Sequence, residues 1–213
     1  IYTPAVTSKT VTKVWDDQNN QDGLRPKGVA VQLYANGEAI GTPVTLSAAT
    51  NWSYTWNDLA LNAGGVEIVY TVQEVAAPDG YTASYSDDSF VVTNTHAPET
   101  TSKTVTKVWD DQNNQDGKRP QSVSMQLLAN GSPAGASVSL NEQSGWSYTW
   151  NDLPVYQNGE AITYTVTEVA VPTGYSVSYS DDGFTVTNTY TPEVTAKTIQ
   201  KVWDDQNNQD GIR

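Results

Sequence analysis

The chain has no cysteine in its 213 residues, which excludes disulfides, thiolate metal sites and cysteine nucleophiles. Histidine occurs once, at His96, and Tyr190 stands in the matching place of the second half. No catalytic His-Ser-Asp set can therefore recur, and an enzyme in the ordinary sense is not expected. No apolar run of roughly 18 residues is present, nor a recognisable signal peptide or sorting segment, so targeting and anchoring elements are expected outside this stretch. Basic residues are scarce, 11 against 24 acidic ones, and the net charge of −13 repels phosphate backbones and anionic lipid. Neither nucleic acid nor a membrane is an expected partner, and no cofactor is implied.

What is present is β-forming. Thr, Val, Tyr and Trp are abundant, Gly-Asn-Asp-Pro clusters cut the chain into short stretches, and 37% hydrophobic residues suffice for real cores. Ser8-Lys9-Thr10-Val11-Thr12-Lys13-Val14-Trp15-Asp16-Asp17-Gln18-Asn19-Asn20-Gln21-Asp22-Gly23 returns residue for residue at 102–117. Trp52 to Leu59 returns at 146–153, and Thr93-Asn94-Thr95 at 187–189. Two complete copies are present, at 7–98 and 101–192. The start of a third lies at 195–213, and residues 1–6 match the tail of a preceding one through Tyr2-Thr3-Pro4. The junctions around Pro98 and Pro192 are short, and a stiff connection is expected there.

Each repeat reads as about seven strands, near 10–15, 29–35, 43–46, 51–57, 67–75, 81–86 and 89–95 in the first, a spacing that suits a sandwich. Side chains alternate across a strand, so polar residues in phase with apolar ones are aimed inward. Lys107 shares its face with Val105 and Trp109, Glu168 with Tyr164 and Val166, and Asn188 with Phe184 and Val186. Lys13, Glu74 and Asn94 hold the same phases in the first repeat, and Lys201 follows Lys13 and Lys107. Because an isolated buried charge costs several kcal/mol, the lysine and the carboxylate of one core should be adjacent and shifted toward their neutral forms. The phase alone leaves two readings open. One is a structural Lys-Glu ion pair satisfied by an asparagine, and the other is a reactive set of amine, acid and carboxamide.

At these residues the sequence resembles the B-type repeats of the collagen adhesin and related Gram-positive surface proteins and pilins. The resemblance lies in Lys-Val-Trp-Asp-Asp with Arg25-Pro26 behind it, Tyr-Thr-Val-x-Glu, Pro-x-Gly-Tyr at 78–81 and 172–175, and Val-Thr-Asn-Thr. It implies tandem immunoglobulin-like β-sandwiches of reversed type. It also implies spontaneous isopeptide bonds, Lys13 to Asn94 and Lys107 to Asn188, assisted by Glu74 and Glu168. The implied role is that of a mechanically locked stalk on the extracellular, cell-wall-anchored surface of a Gram-positive bacterium. Its partners would be neighbouring repeats, with host matrix protein or glycan bound through other domains. Lys201, with no matching glutamate or asparagine after it, is expected to stay a free amine.

Two weaker signals remain. The acidic loop offers Asp16, Asp17 and Asp22, repeated as Asp110, Asp111 and Asp116, as calcium ligands, but an EF-hand register puts Val29 where a bidentate glutamate belongs. A turn built of Asn, Asp and Gly accounts for it more simply, and no metal is expected. Trp52, Tyr54 and Trp56, with Trp146, Tyr148 and Trp150, form aromatic rows that suit either core packing or a sugar-binding face. A ligand-binding sandwich is the alternative function they support.

Overall fold

The computed structural model describes residues 3–212; Ile1, Tyr2 of the expected tail, and Arg213 lie outside the described residues. Strands alternate with turns almost throughout, and the chain forms two compact units, one built mainly on each complete repeat.

In the first repeat the strands are β1 (Val6–Asp16), β2 (Gly28–Ala35), β3 (Glu38–Ser47), β4 (Ser53–Ala60), β5 (Asn62–Ala63), β6 (Val66–Glu67), β7 (Tyr70–Glu74), β8 (Thr82–Tyr85) and β9 (Val91–Thr95). One sheet runs β4-β1-β9-β8 and the other β3-β2-β7. Their inner faces meet over a core that includes Val11, Val31, Leu33, Leu46, Val72 and Val92, all nearly inaccessible. This is the all-β, immunoglobulin-like sandwich that the alternating pattern implied. The pairing of β1 with β9 is parallel, and it sets Lys13 opposite Val92 and Trp15 opposite Asn94. The first and last strands of the sandwich are thus direct neighbours.

The second repeat has the same plan. Its strands are β10 (Thr100–Asp110), β11 (Ser122–Ala129), β12 (Ser132–Pro133), β13 (Val138–Asn141), β14 (Ser147–Pro154), β15 (Tyr156–Gln157), β16 (Glu160–Ala161), β17 (Tyr164–Glu168), β18 (Ser176–Tyr179) and β19 (Thr185–Thr189). One sheet runs β14-β10-β19-β18, and β11 joins β12, β13 and β17 in the other. Again the first and last strands pair in parallel, Lys107 with Val186 and Trp109 with Asn188.

Two local departures from the expected strands have plain causes. The stretch 51–57 begins as a strand only at Ser53, because Asn51 and Trp52 are left-handed, with φ of 52° and 54°. A 3-10 turn at Ala48–Thr50 precedes them, and the Trp52 N–H closes onto the Ser47 carbonyl at 2.8 Å. The stretch 67–75 is divided, since β5 and β6 form a hairpin of their own across Gly64-Gly65, whose positive φ values of 57° and 82° suit a tight two-residue turn. The third copy forms no strand among the described residues; Ile199, Lys201 and Trp203 are exposed, with the Lys201 amine 4.7 Å from the Trp203 ring centre.

Candidate functional site: a buried lysine, glutamate and asparagine in each repeat

The phase argument holds in space. Lys13 is 4% exposed, Glu74 8% and Asn94 0%, and the matching values for Lys107, Glu168 and Asn188 are 4%, 6% and 0%. Each residue is positioned by a different strand. Lys13 projects from β1, Asn94 from the adjacent β9, and Glu74 from the end of β7 in the facing sheet. The Asn94 Nδ2 donates to Glu74 Oε1 at 3.1 Å, as Asn188 Nδ2 does to Glu168 Oε1. The Lys13 amine donates to the carbonyls of Val14 and Val92 at 3.1 and 3.2 Å, and it lies 4.4 Å from the centre of the Trp15 ring. It makes no salt bridge with Glu74, so the ion-pair reading of the core is not what the geometry shows. Asn94 Oδ1, Glu74 Oε2 and Trp15 Nε1 are buried and unpaired, and their counterparts in the second repeat are too.

Burial governs the electrostatics. Desolvation brings the Lys13 amine down to about 8 against the pull of Glu74 and Asp17, and Lys107 down to about 8 likewise. The same desolvation pushes the Glu74 and Glu168 carboxyls up, outweighing the lysine charge and the asparagine hydrogen bond. Amine and acid both move toward the neutral forms that nucleophilic attack and proton donation require. Glu74 Oε1 meets the carboxamide on its nitrogen, the leaving-group side.

The acidic loop turns its oxygens onto its own chain. Asp17 is 1% exposed and takes Arg25 Nε on one oxygen at 3.0 Å and Arg25 Nη2 on the other at 2.5 Å. The Tyr81 hydroxyl donates to it at 2.8 Å and the Asn20 N–H at 2.9 Å. Burial alone would raise the Asp17 carboxyl, but Arg25, the Asn20 amide and Tyr81 hold it at about 2. Asp111 has the same partners in Arg119, Asn114 and Tyr175, and Arg119 first among them holds it at about 2. Tyr81 reaches Asp17 because Pro78-Asp79-Gly80-Tyr81 is a tight turn with Gly80 at φ 80° and the Tyr81 N–H on the Pro78 carbonyl at 3.0 Å. Asp16 and Asp110 are exposed, and among the described residues no three His, Asp or Glu side chains gather as metal ligands. This buried Asp-Arg-Tyr cluster escaped the sequence reading. Its signal was available, since Asp17 continues the inward phase of Lys13 and Trp15.

Asp22 ties the segment that follows β9 to the same loop. Its Oδ2 accepts the Glu99 N–H at 2.8 Å and faces His96 Nε2 at 3.0 Å, while His96 Nδ1 sits 2.8 Å from the Gly80 carbonyl. In the second repeat Asp116 takes the Tyr190 hydroxyl at 3.1 Å and the Glu193 N–H at 2.9 Å. The bond to Asp22, then that to Gly80, raises the His96 pKa above its usual value. A raised folded value means stability that is complete below the ordinary histidine range, about pH 6.5, and that fades as pH rises through the folded midpoint. Ring-proton resonances of His96 are expected to titrate above that range and to fall toward it in Asp22→Asn, with the Gly80 contact retained. An ordinary midpoint in the unaltered chain would refute the contact's electrostatic role.

Of the aromatic rows, Trp52 and Trp56 pack on the core, Trp52 edge-on to Trp15 at 5.2 Å. Tyr54 and Tyr148 are 41% and 43% exposed.

Fold and site together define a tandem array of immunoglobulin-like sandwiches, each holding an inward lysine, glutamate and asparagine. The Cna protein B-type domain model matches residues 9–95 and 103–189, and the chain belongs to that family. It is 47% identical over 217 residues to a collagen adhesin of Staphylococcus aureus, covering 100% of this chain and 18% of the relative. The chain therefore spans about a fifth of that protein's length. The crystal structure of two B repeat units of the Staphylococcus aureus collagen binding protein is similar over 100% of this chain and 57% of its own, with 46% identity and a TM-score of 0.83.

Proposed function

We propose that these repeats are stalk modules of an extracellular, cell-wall-anchored adhesin of a Gram-positive bacterium, each locked by an autocatalytic Lys-Asn isopeptide bond. The observation that carries this reading is the burial of one lysine, one glutamate and one asparagine around the paired first and last strands of each sandwich. The unprotonated Lys13 amine attacks the Asn94 side-chain carbonyl carbon, a new C–N bond forms, and the bond to Nδ2 breaks. One amine proton passes through Glu74 to the departing nitrogen, which leaves as ammonia. Folding supplies the proximity, so each domain reacts once and no free catalyst remains. A relative that carries the name collagen adhesin supports host-matrix binding by other domains of the full-length protein, and on this reading the repeats carry that contact without making it.

Intact mass tests the chemistry. The chain is expected to weigh two ammonia molecules less than its sequence, with peptide mapping locating branched peptides at Lys13–Asn94 and Lys107–Asn188. A mass equal to that of the sequence would refute the covalent reading.

A further inference from the structure

A buried carboxylate and a half-buried guanidinium near the lysine take no part in the chemistry above. Asp17 continues the inward phase of β1 past Lys13 and Trp15, and its carboxylate is negative at any pH at which the amine could react. Left alone, such a charge favours the ammonium form of Lys13, which has no lone pair for attack; at an effective dielectric of about 20, a unit charge on the order of 10 Å from an amine biases it roughly tenfold. Arg25 counters it, with one guanidinium nitrogen on each oxygen of Asp17. The same guanidinium carbon lies 5.5 Å from the centre of the Trp15 ring, the ring against which the Lys13 amine rests at 4.4 Å. Tyr81 and Trp52 close on that indole edge-on at 5.1 and 5.2 Å. The whole assembly recurs around Lys107, with Arg119 on Asp111 and 5.5 Å from the Trp109 ring.

We propose that Arg25 and Arg119 are positioning residues for bond formation: they cancel the buried charge of Asp17 and Asp111 and hold the intervening tryptophan beneath the lysine amine. The proposal rests on the Lys-Asn reaction put forward above. It differs from a purely structural role, in which the arginine merely fastens the loop after β1. A fastener is weakened further when its second partner is also removed, whereas a charge-cancelling group becomes dispensable once the charge has gone.

The full chain is made as the unaltered sequence, as Arg25→Gln, and as Asp17→Asn with Arg25→Gln. A short pulse of cell-free synthesis is quenched in acid at intervals, and peptide mapping by mass assigns each ammonia loss to its repeat. The second repeat serves as an internal clock. Near pH 7 the first repeat of Arg25→Gln is expected to close on the order of tenfold more slowly, catching up near pH 9 as the amine deprotonates. The double variant, which lacks both charges, is expected to close within about twofold of the unaltered chain. The proposal is overturned if Arg25→Gln closes at the normal rate, if it stays open near pH 9, or if the double variant is no faster than the single. If the unaltered chain itself never loses ammonia, the underlying reaction falls, and that result is distinct from the other three.

Discussion

Pulled from its two ends in a single-molecule instrument, the unaltered chain is expected to show no unfolding step from either complete repeat. The chain carrying Glu74→Ala and Glu168→Ala is expected to show two. The argument is geometric. Force enters the first sandwich through β1 and leaves through β9, and these strands are direct parallel neighbours. A bond from Lys13 to Asn94 carries the load across that one pair and shields everything between. About 80 residues are then withheld, and at roughly 3.3–3.6 Å each they would add on the order of 270 Å per domain when released. Steps of that size in the unaltered chain would show that force passes through the whole sandwich.

Heat should separate the same two states. Glu168→Ala is expected to leave the second sandwich folded but open, losing one ammonia fewer, with its melting temperature lowered by roughly 15–30 °C. The estimate takes a cross-link closing about 80 residues as worth about 4 kcal/mol through its restriction of the unfolded chain, and each kcal/mol as about 4–8 °C for a domain of this size. Loss of the buried acid itself is offset, because the Glu168 carboxyl accepts only one side-chain hydrogen bond, from Asn188, and its other oxygen is unpaired. The first sandwich, untouched, provides the reference transition. Normal bond formation in Glu168→Ala would remove the role assigned to the glutamate, whatever the melting curve did.

The sandwich and its three inward polar residues were legible because strand alternation is a strict period of two, which places a side chain on a face from sequence alone. Lys13, Glu74 and Asn94 sit where that period put them. Alternation fails where the backbone leaves the strand, as at Asn51 and Trp52, whose left-handed φ values delay the strand to Ser53. Nor could alternation reveal what Asp17 binds, since Arg25 and Tyr81 come from a loop and a turn whose approach depends on the folded chain. The loop therefore resembled a set of cation ligands in sequence and proved to be the socket for an arginine. The side of the carboxamide that the glutamate meets was equally out of reach, because phase fixes the face of a side chain and not its rotamer.

The Lys13 and Asn94 positions bracket nearly every turn of the first sandwich, including the exposed tips at Asn36-Gly37 and Gly64-Gly65. A chain joined there is a closed ring with two tails, and a ring cut once is still in one piece. A host protease that nicked any of those tips would leave the outer parts of the protein connected through the side-chain bridge, and the nicked domain would migrate undivided on a denaturing gel. Two cuts in the same ring would be needed to shed even a fragment. Connectivity along the chain would then depend on the short stretches outside the rings, such as residues 96–106, where a single cleavage suffices.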